Sequence, residues 1–306
     1  MITSRVTQDV DAASRVLQHG GIVGIPTETV YGLAALALNE TAVSRVFQVK
    51  GRPTSHPLII HLSPLDDINR WGVLNESAEM LANALWPGPL TLLVPRTPLV
   101  PDWVTGARDT VALRIPAHSM TIALLDSVGD AVVAPSANRF GQVSPTSAQH
   151  VINDLGESVD LVLDGGPCTI GIESTIVECT NSVLQVLRPG KISALDIATI
   201  TGLTITETDG PSRAPGMLLA HYAPIARVQL CESLAQAEEE KQKLVAQGIS
   251  TEVLHYENVT TYALSLYDNL RSADLNGTDV VIAVLPPNTG IGVAIRDRLT
   301  KAAASS

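Results

Sequence analysis

Residues 20–61 read GGIVGIPTETVYGLAALALNETAVSRVFQVKGRPTSHPLIIH. The stretch opens on an apolar run, Ile22 to Ile25, of the kind that makes a buried strand, and Pro26 ends it. A polar segment, Thr27-Glu28-Thr29, follows. In an extended chain Thr27, Thr29 and Tyr31 point to one side, because successive side chains alternate. Asn39 reads as the N-cap of a helix with Val43, Val46 and Phe47 on its apolar face, and Gly51 is placed to end it. Just beyond lies Lys50-Gly51-Arg52-Pro53. Pro53 disfavours helical geometry at Arg52, so the two cations can reach towards one target. With hydroxyls nearby and apolar strands around, such a pair suits a polyanion such as a nucleotide phosphate. The plainer alternative makes Lys50 a complement to the negative end of its helix and Arg52 a solvated surface charge.

Composition narrows the class. At 306 residues the chain can hold two domains and a sizeable core. Its net charge is −11: residues 1–205 carry 12 Lys+Arg against 19 Asp+Glu, and the remainder 8 against 12. Neither half has the basic excess that dominates phosphate-backbone binding, and aromatics at 3% leave few platforms for stacked bases. Nucleic-acid binding is therefore expected to be weak or absent. No apolar run approaches a membrane span, and the polar start, Met1 to Val10, is unlike a signal peptide. Cys168, Cys179 and Cys231 are odd in number and form no CxxC, which argues against a disulfide framework or a zinc site. A cytoplasmic location is expected.

Around the organising stretch the chain alternates strands and helices. An amphipathic helix is expected over residues 9–19, with Val10, Ala13, Val16 and Leu17 on one face. After a strand at Leu58–Leu62, Ser63-Pro64 reads as a helix start, and a further helix covers Ser77–Leu85. A strand at Leu90–Val94 precedes a Pro-rich loop to Gly106. Val111 to Pro116 is then an apolar strand holding Arg114, a charge that is expensive unless paired or facing a cleft. An edge-strand arginine in solvent is the alternative. After a helix near His118 to Ser127, Ala131 to Asn138 runs a buried strand straight into Ser136 and Asn138. Ligands gather beyond strand ends in open α/β sheets, although a plain Ser/Asn turn fits too. Ser144-Pro145 reads as N-cap and N1 of a helix ending near Gly156. Strands at Leu161–Leu163 and Val183–Leu187 lead to Arg188-Pro189-Gly190-Lys191, and Ser193 with Asp196 has capping-box spacing. Lys50 and Lys191 are the only lysines before residue 206, each close to an Arg beside Pro and Gly.

Residues 206–224 are linker-like in composition. Beyond them, strands at Ile225–Leu230, Thr251–His255 and Val280–Leu285 alternate with helices at Ser233–Gln247, Tyr262–Leu275 and Ile291–Ala302, a small parallel α/β pattern. Gly290-Ile291-Gly292 reads as a tight turn into the last helix rather than a dinucleotide fingerprint, because it lacks the third glycine.

The order PTETVYGL, KGRP, HPLIIHL closely resembles the YrdC-like domain of threonylcarbamoyl-AMP synthases. Ala-Leu-Arg-Ile-Pro, Ala-Pro-Ser-Ala-Asn, Ser-Pro-Thr, Glu-Ser-Thr-Ile, Arg-Pro-Gly, Ala-Pro-Gly-Met, His-Tyr-Ala-Pro and GIGVAIRDRL follow in the family's order. The ordered set spans essentially the whole chain and is similar to the long, two-domain form. The implied fold is α/β: a YrdC-like twisted mixed sheet with a large cleft over residues 1–205, a linker or lid at 206–224, and a small Rossmann-like parallel domain at 225–306.

The resemblance implies joining of L-threonine, bicarbonate or CO2, and ATP into threonylcarbamoyl-AMP with release of pyrophosphate, for the threonylcarbamoyladenosine modification of tRNA. It implies Lys50 and Arg52 as the catalytic cations, holding the triphosphate with Arg188. His56, Thr110, Ser136, Asn138, Ser144, His221 and Tyr222 would contact ATP. Thr29, His61, Arg114, Ala134 and Ser174 would bind threonine, Arg114 through its carboxylate. Mg²⁺ is expected to travel with ATP, and the product to pass to downstream tRNA threonylcarbamoyl-transferase machinery. No nucleophile-elbow pattern is present, in keeping with a reaction that needs alignment and charge neutralisation. Two alternatives remain on sequence alone: a related carbamoyl-adenylate enzyme, and an RNA-binding or ribosome-associated module.

Overall fold

The computed structural model describes residues 5–64, 67–180, 183–207 and 222–304. In chain order the first strands are β1 (Val6–Thr7), β2 (Val23–Ile25), β3 (Gly32–Leu36), β4 (Ile59–His61), β5 (Leu90–Pro95) and β6 (Thr110–Arg114). They are followed by β7 (Val132–Val133), β8 (Leu161–Leu163), β9 (Thr175–Glu178), β10 (Leu184–Arg188) and β11 (Ile205–Glu207). These make one mixed sheet of 11 strands in the order β1-β8-β2-β3-β7-β4-β6-β5-β9-β10-β11. Around it lie helices α1 (Val10–Gln18), α2 (Glu40–Lys50), α3 (Glu76–Leu85), α4 (Asp102–Thr105), α5 (Ser119–Val128), α6 (Ala148–Leu155) and α7 (Ala194–Thr201).

Strand alternation divides the core between the two faces of this sheet. Leu33 and Ala35 of β3 and Val133 of β7 join the larger apolar cluster, which includes Val46 and Phe47 of α2. Their neighbours Ala34 and Val132 point the other way, onto Ala13 and Leu17 of α1 and Leu124 and Leu125 of α5. The capping signals work as expected. The Asn39 side chain accepts from Ala42 N–H, Gly51 closes α2 at φ 64°, and Ser193 with Asp196 forms a capping box on α7.

The second sheet is parallel and three-stranded, order β12-β14-β13, from β12 (Arg227–Cys231), β13 (Thr251–Leu254) and β14 (Val280–Val284). Helices α8 (Leu234–Ala246), α9 (Val259–Leu275) and α10 (Ile291–Ala303) pack on it. Gly290 opens α10 at φ 52°, and a side chain at Gly292 would meet the Pro287 carbonyl. That is the tight turn the sequence implies.

Several expectations need correction. Ser144-Pro145 does not start a helix: α6 begins after Ser147, whose hydroxyl accepts from His150 N–H, while the Ser144 hydroxyl is spent on Glu173. The helix start expected at Ser63-Pro64 runs into residues outside those described; beyond them the described chain makes a single 3-10 turn, Ile68–Arg70, capped by Asp67. Helix α4 interrupts the Pro-rich loop before Gly106. The segment after Pro26 bends at residues 28–30 rather than staying extended. Thr27 and Thr29 still share a side, their hydroxyl oxygens 2.8 Å apart. Tyr31, however, enters the core and donates to the Gly166 carbonyl at 2.7 Å.

Candidate functional site

Two parallel strands set the site. β4 and β6 pair so that His61 lies opposite Arg114, and side chains in register on parallel strands share a face. Both face a cavity that Thr29, Ala134, Ser136, Ser174, Arg188 and Tyr222 also line, with Thr27, Val30, Gly32, Leu58, Ile59, Pro135 and Glu173.

Arg114 is buried, which excludes the solvated edge-strand alternative. Its Nη1 donates to Thr29 Oγ1 at 2.9 Å, Nε to the Gly88 carbonyl at 3.3 Å, and Nη2 stands 2.7 Å from Glu28 Oε1. The hydroxyl and the carbonyl hold this arginine by hydrogen bonds, while its contact with the carboxylate is one of charge without hydrogen-bond alignment. Beside it His61 Nδ1 lies 3.3 Å from the Ile59 carbonyl. A carbonyl can only accept, so Nδ1 carries the proton and Nε2 is the acceptor. Burial, and then the positive Arg114, lower the His61 pKa to about 3, so the ring is neutral.

The cationic end is built from three elements. Lys50, last residue of α2, is buried and donates to the carbonyls of Ser136 at 2.5 Å and Asn138 at 2.6 Å. The complement-to-the-helix alternative therefore fails: the amine leaves its own helix and crosses to the loop after β7. Burial first, and Arg52 second, push the Lys50 pKa well down. Arg52 Nη2 donates to the Pro57 carbonyl at 2.9 Å, and its guanidinium lies 5.8 Å from the Phe140 ring centre. Its Nε is buried without a hydrogen-bond partner among the described residues. Burial, and then Arg188, lower the Arg52 pKa to about 10. Arg188, at the end of β10, donates through Nε to the Ser174 carbonyl at 3.0 Å and through Nη2 to Ser174 Oγ at 2.9 Å. Ser174 Oγ also meets Thr91 Oγ1 at 2.7 Å.

The remaining expected residues divide. Asn138 is buried, with Nδ2 on the carbonyls of Arg139 and Gln142 and Oδ1 unpartnered among the described residues. His56 sits edge-on to Phe140 at 5.4 Å, beside Arg52 but off the cavity lining. Thr110 lies at the far end of β6, paired with Pro95 in β5, and is not brought to the cavity. Tyr222 is buried at φ 64°, stacked on Tyr267 at 5.7 Å and anchored by Ala223 N–H on the Gly141 carbonyl. His221 and most of the linker lie outside the described residues.

Sequence reading missed two buried carboxylates. Glu28 stands against Arg114. Glu173 accepts from Ser144 Oγ at 2.6 Å and, through its other oxygen, from Tyr267 OH and Arg298 Nε at 2.8 Å each. Arginine and hydroxyl donors outweigh burial and lower its pKa to about 2. The available signal was acidic residues inside the Thr-Glu-Thr and Glu-Ser-Thr-Ile segments beside predicted strands. Their cationic partners sit 86 and 125 residues away in sequence.

A family model described as "Telomere recombination" matches residues 15–190, and one described as "Threonylcarbamoyl-AMP synthase, C-terminal domain" matches residues 184–304. The threonylcarbamoyl-AMP synthase of Pyrococcus abyssi is 38% identical, covering 95% of this chain and 92% of that protein. The chain belongs to the threonylcarbamoyl-AMP synthase family. The family's Bacillus subtilis member is 37% identical over 95% of this chain and 92% of its own length. The crystal structure of P. abyssi Sua5 complexed with L-threonine superposes with a TM-score of 0.91 at 37% identity, covering 97% of this chain and 94% of that one. A full-length HypF structure shares only the fold, at 16% identity and a TM-score of 0.52.

Proposed function

We propose that this chain is an L-threonylcarbamoyladenylate synthase, forming threonylcarbamoyl-AMP and pyrophosphate from L-threonine, CO2 or bicarbonate, and ATP. The observation that carries the reading is one cavity in which the Arg114–Thr29–His61 group adjoins the Ser174–Arg188 pair, with Lys50 bonded to the carbonyl of the lining residue Ser136.

In this reading the threonine amine bonds to the carbon of CO2 and loses a proton, giving a carbamate. A carbamate oxygen then bonds to the α-phosphorus of ATP while the bond to the bridging oxygen of the β-phosphate breaks and pyrophosphate leaves. No enzyme nucleophile is required. Alignment and neutralisation of developing charge suffice, and cations buried away from water supply them strongly. Arg114, Thr29, His61, Ala134 and Ser174 bind threonine, whose carboxylate shares Arg114 with Glu28. Lys50, Arg52 and Arg188 hold the phosphates. Ser136, Asn138 and Ser144 contact the nucleotide, and Tyr222 covers it.

Mg²⁺ enters with ATP as part of the substrate. Among the described residues no three His, Cys, Asp or Glu side chains converge, and Glu28 and Glu173 are both engaged by arginines. The catalytic unit runs two residues past the expected boundary at 205, because Thr206 and Glu207 pair with β10 as part of β11; the linker follows, and 225–306 is the C-terminal unit. The product passes to cytoplasmic machinery that transfers the threonylcarbamoyl group to tRNA. No described helix is long and apolar enough to cross a membrane.

The test is pyrophosphate release from Mg-ATP and bicarbonate, with and without L-threonine, in wild type and Arg52→Ala. Threonine-dependent release lost in the variant is the expected result. Release that ignores threonine would favour a different carbamoyl-adenylate reaction, and RNA binding without turnover would favour the RNA-binding alternative.

A further inference from the structure

Glu173 collects its donors from outside its own segment. Ser144 comes from the loop before α6, Tyr267 from α9 and Arg298 from α10. Glu173 and Arg298 are 6% and 1% exposed, so this charge pair is shut away from water. The Arg298 guanidinium also lies 5.1 Å from the centre of the Tyr222 ring, and Tyr222 stacks on Tyr267. A second carboxylate, Asp297, holds Nη1 of the same arginine at 2.5 Å.

Glu173 and the residue after it line the cavity. Ser174 follows immediately and takes two hydrogen bonds from Arg188. The Glu173 carboxylate itself receives the Ser144 hydroxyl. One carboxylate therefore meets the group assigned to the nucleotide and, through its neighbour, the group assigned to threonine. A buried carboxylate deprived of its cation is left as an uncompensated charge, and here it adjoins Ser174, the residue that holds Arg188.

We infer that Arg298, carried by the last helix of the C-terminal unit, is a positioning residue of the site: by holding Glu173 it keeps Ser144, Ser174 and Arg188 set for both substrates. The inference rests on the adenylation reading and adds a residue and a physical route by which the C-terminal unit acts on that chemistry. It differs from interface packing because its effect falls on substrate affinity rather than on the amount of folded protein.

The experiment uses the full-length chain with Arg298→Met, Arg298→Lys, Glu173→Gln and the Glu173→Gln/Arg298→Met double variant. KM for ATP and for L-threonine come from initial rates of pyrophosphate release, and ATP affinity from calorimetry. For Arg298→Met both KM values are expected to rise about tenfold, with a matching loss of ATP affinity. The double variant is expected to be no worse than Arg298→Met alone, because the two side chains act as one unit. Should Arg298→Met fail to fold, Arg298→Lys carries the test: it keeps the charge, loses the fork and is expected to shift both KM values about threefold. A lowered kcat with both KM values at wild type, the mark of fewer folded molecules, would overturn the inference, as would additive losses in the double variant. Wild-type turnover with unmoved KM values sinks the inference alone. A wild type that neither turns over nor binds ATP sinks the adenylation reading with it.

Discussion

Arg114 and Glu28 form an ion pair at 2.7 Å with side chains only 5% and 7% exposed, so the arginine expected to meet the substrate carboxylate already faces a carboxylate of its own. Breaking such a pair from one side leaves a buried charge alone, at a cost of about 3–5 kcal/mol. Arg114→Met is expected to lower the urea midpoint accordingly and abolish the threonine response. The Glu28→Gln/Arg114→Met double variant should regain most of the stability and none of the response. If the double variant is as unstable as the single, the pair is not what burial of Arg114 depends on.

Lys50 spends its amine on two carbonyls of the Ser136–Asn138 turn. The amine therefore fixes that turn. Lys50→Met is expected to reduce kcat/KM for ATP about a hundredfold. Lys50→Arg should restore little of it, since a fully enclosed amine leaves no space for a planar guanidinium. A Lys50→Met rate close to wild type would remove Lys50 from the phosphate site.

The neutral His61 gives a pH signature. Its pKa falls from the ordinary 6.5 to about 3 on folding. Between those values the unfolded chain binds a proton that the folded one refuses. The stabilisation is thus complete above pH 6.5 and lost as the pH falls towards 3. His61→Asn removes that dependence. The unfolding free energy of wild type relative to the variant should shrink by about 2 kcal/mol between roughly pH 7.5 and pH 5. Parallel curves for the two proteins would mean that the ring is protonated, or solvated, in the folded state.

Gly190 lies where the turn after β10 presses on the turn before β9. A methyl group there would stand 2.4 Å from Thr175 N and 2.8 Å from the Glu173 carbonyl, both backbone atoms that cannot rotate away. Gly190→Ala is expected to cost about 2 kcal/mol in urea unfolding and to raise KM for both substrates by displacing Arg188 from Ser174. Wild-type stability and kinetics in this variant would show that the turn can move freely.

The sequence announced local structure well wherever a side chain acts on its own backbone. The Asn39 cap, the Gly51 stop and the Ser193–Asp196 box are set by neighbours within a turn, and each sits where it was expected. Ser144 was misread because Ser-Pro is a good cap only if the hydroxyl is free, and Glu173, 29 residues on, takes that hydroxyl first. β3, Gly32–Leu36, is not among the expected strands although it is as apolar as Ile22–Ile25, and pairing with β2 and β7 fixes it as one. For the site, the scarcity of lysine singled out Lys50, which is buried, and equally Lys191, which is exposed; the arginines took their roles only from the resemblance. The carboxylate partners of the arginines could not be found, because a Glu in a polar turn looks solvated until distant chain folds over it. Thr110 shows the converse: its strand reaches the cavity, but at the other end.

The pairing of β4 with β6 has one further consequence. His61 stands opposite Arg114 on one face and Ile60 opposite Leu113 on the other. The polar character of the cavity face thus rests on its last rung, Ile59 and Ala112 before it being apolar. A slip of one residue in either strand would turn His61 or Arg114 into the core and offer the cavity an aliphatic side chain instead. Strand register is therefore a precondition for this polar cavity wall, settled at folding before any substrate arrives.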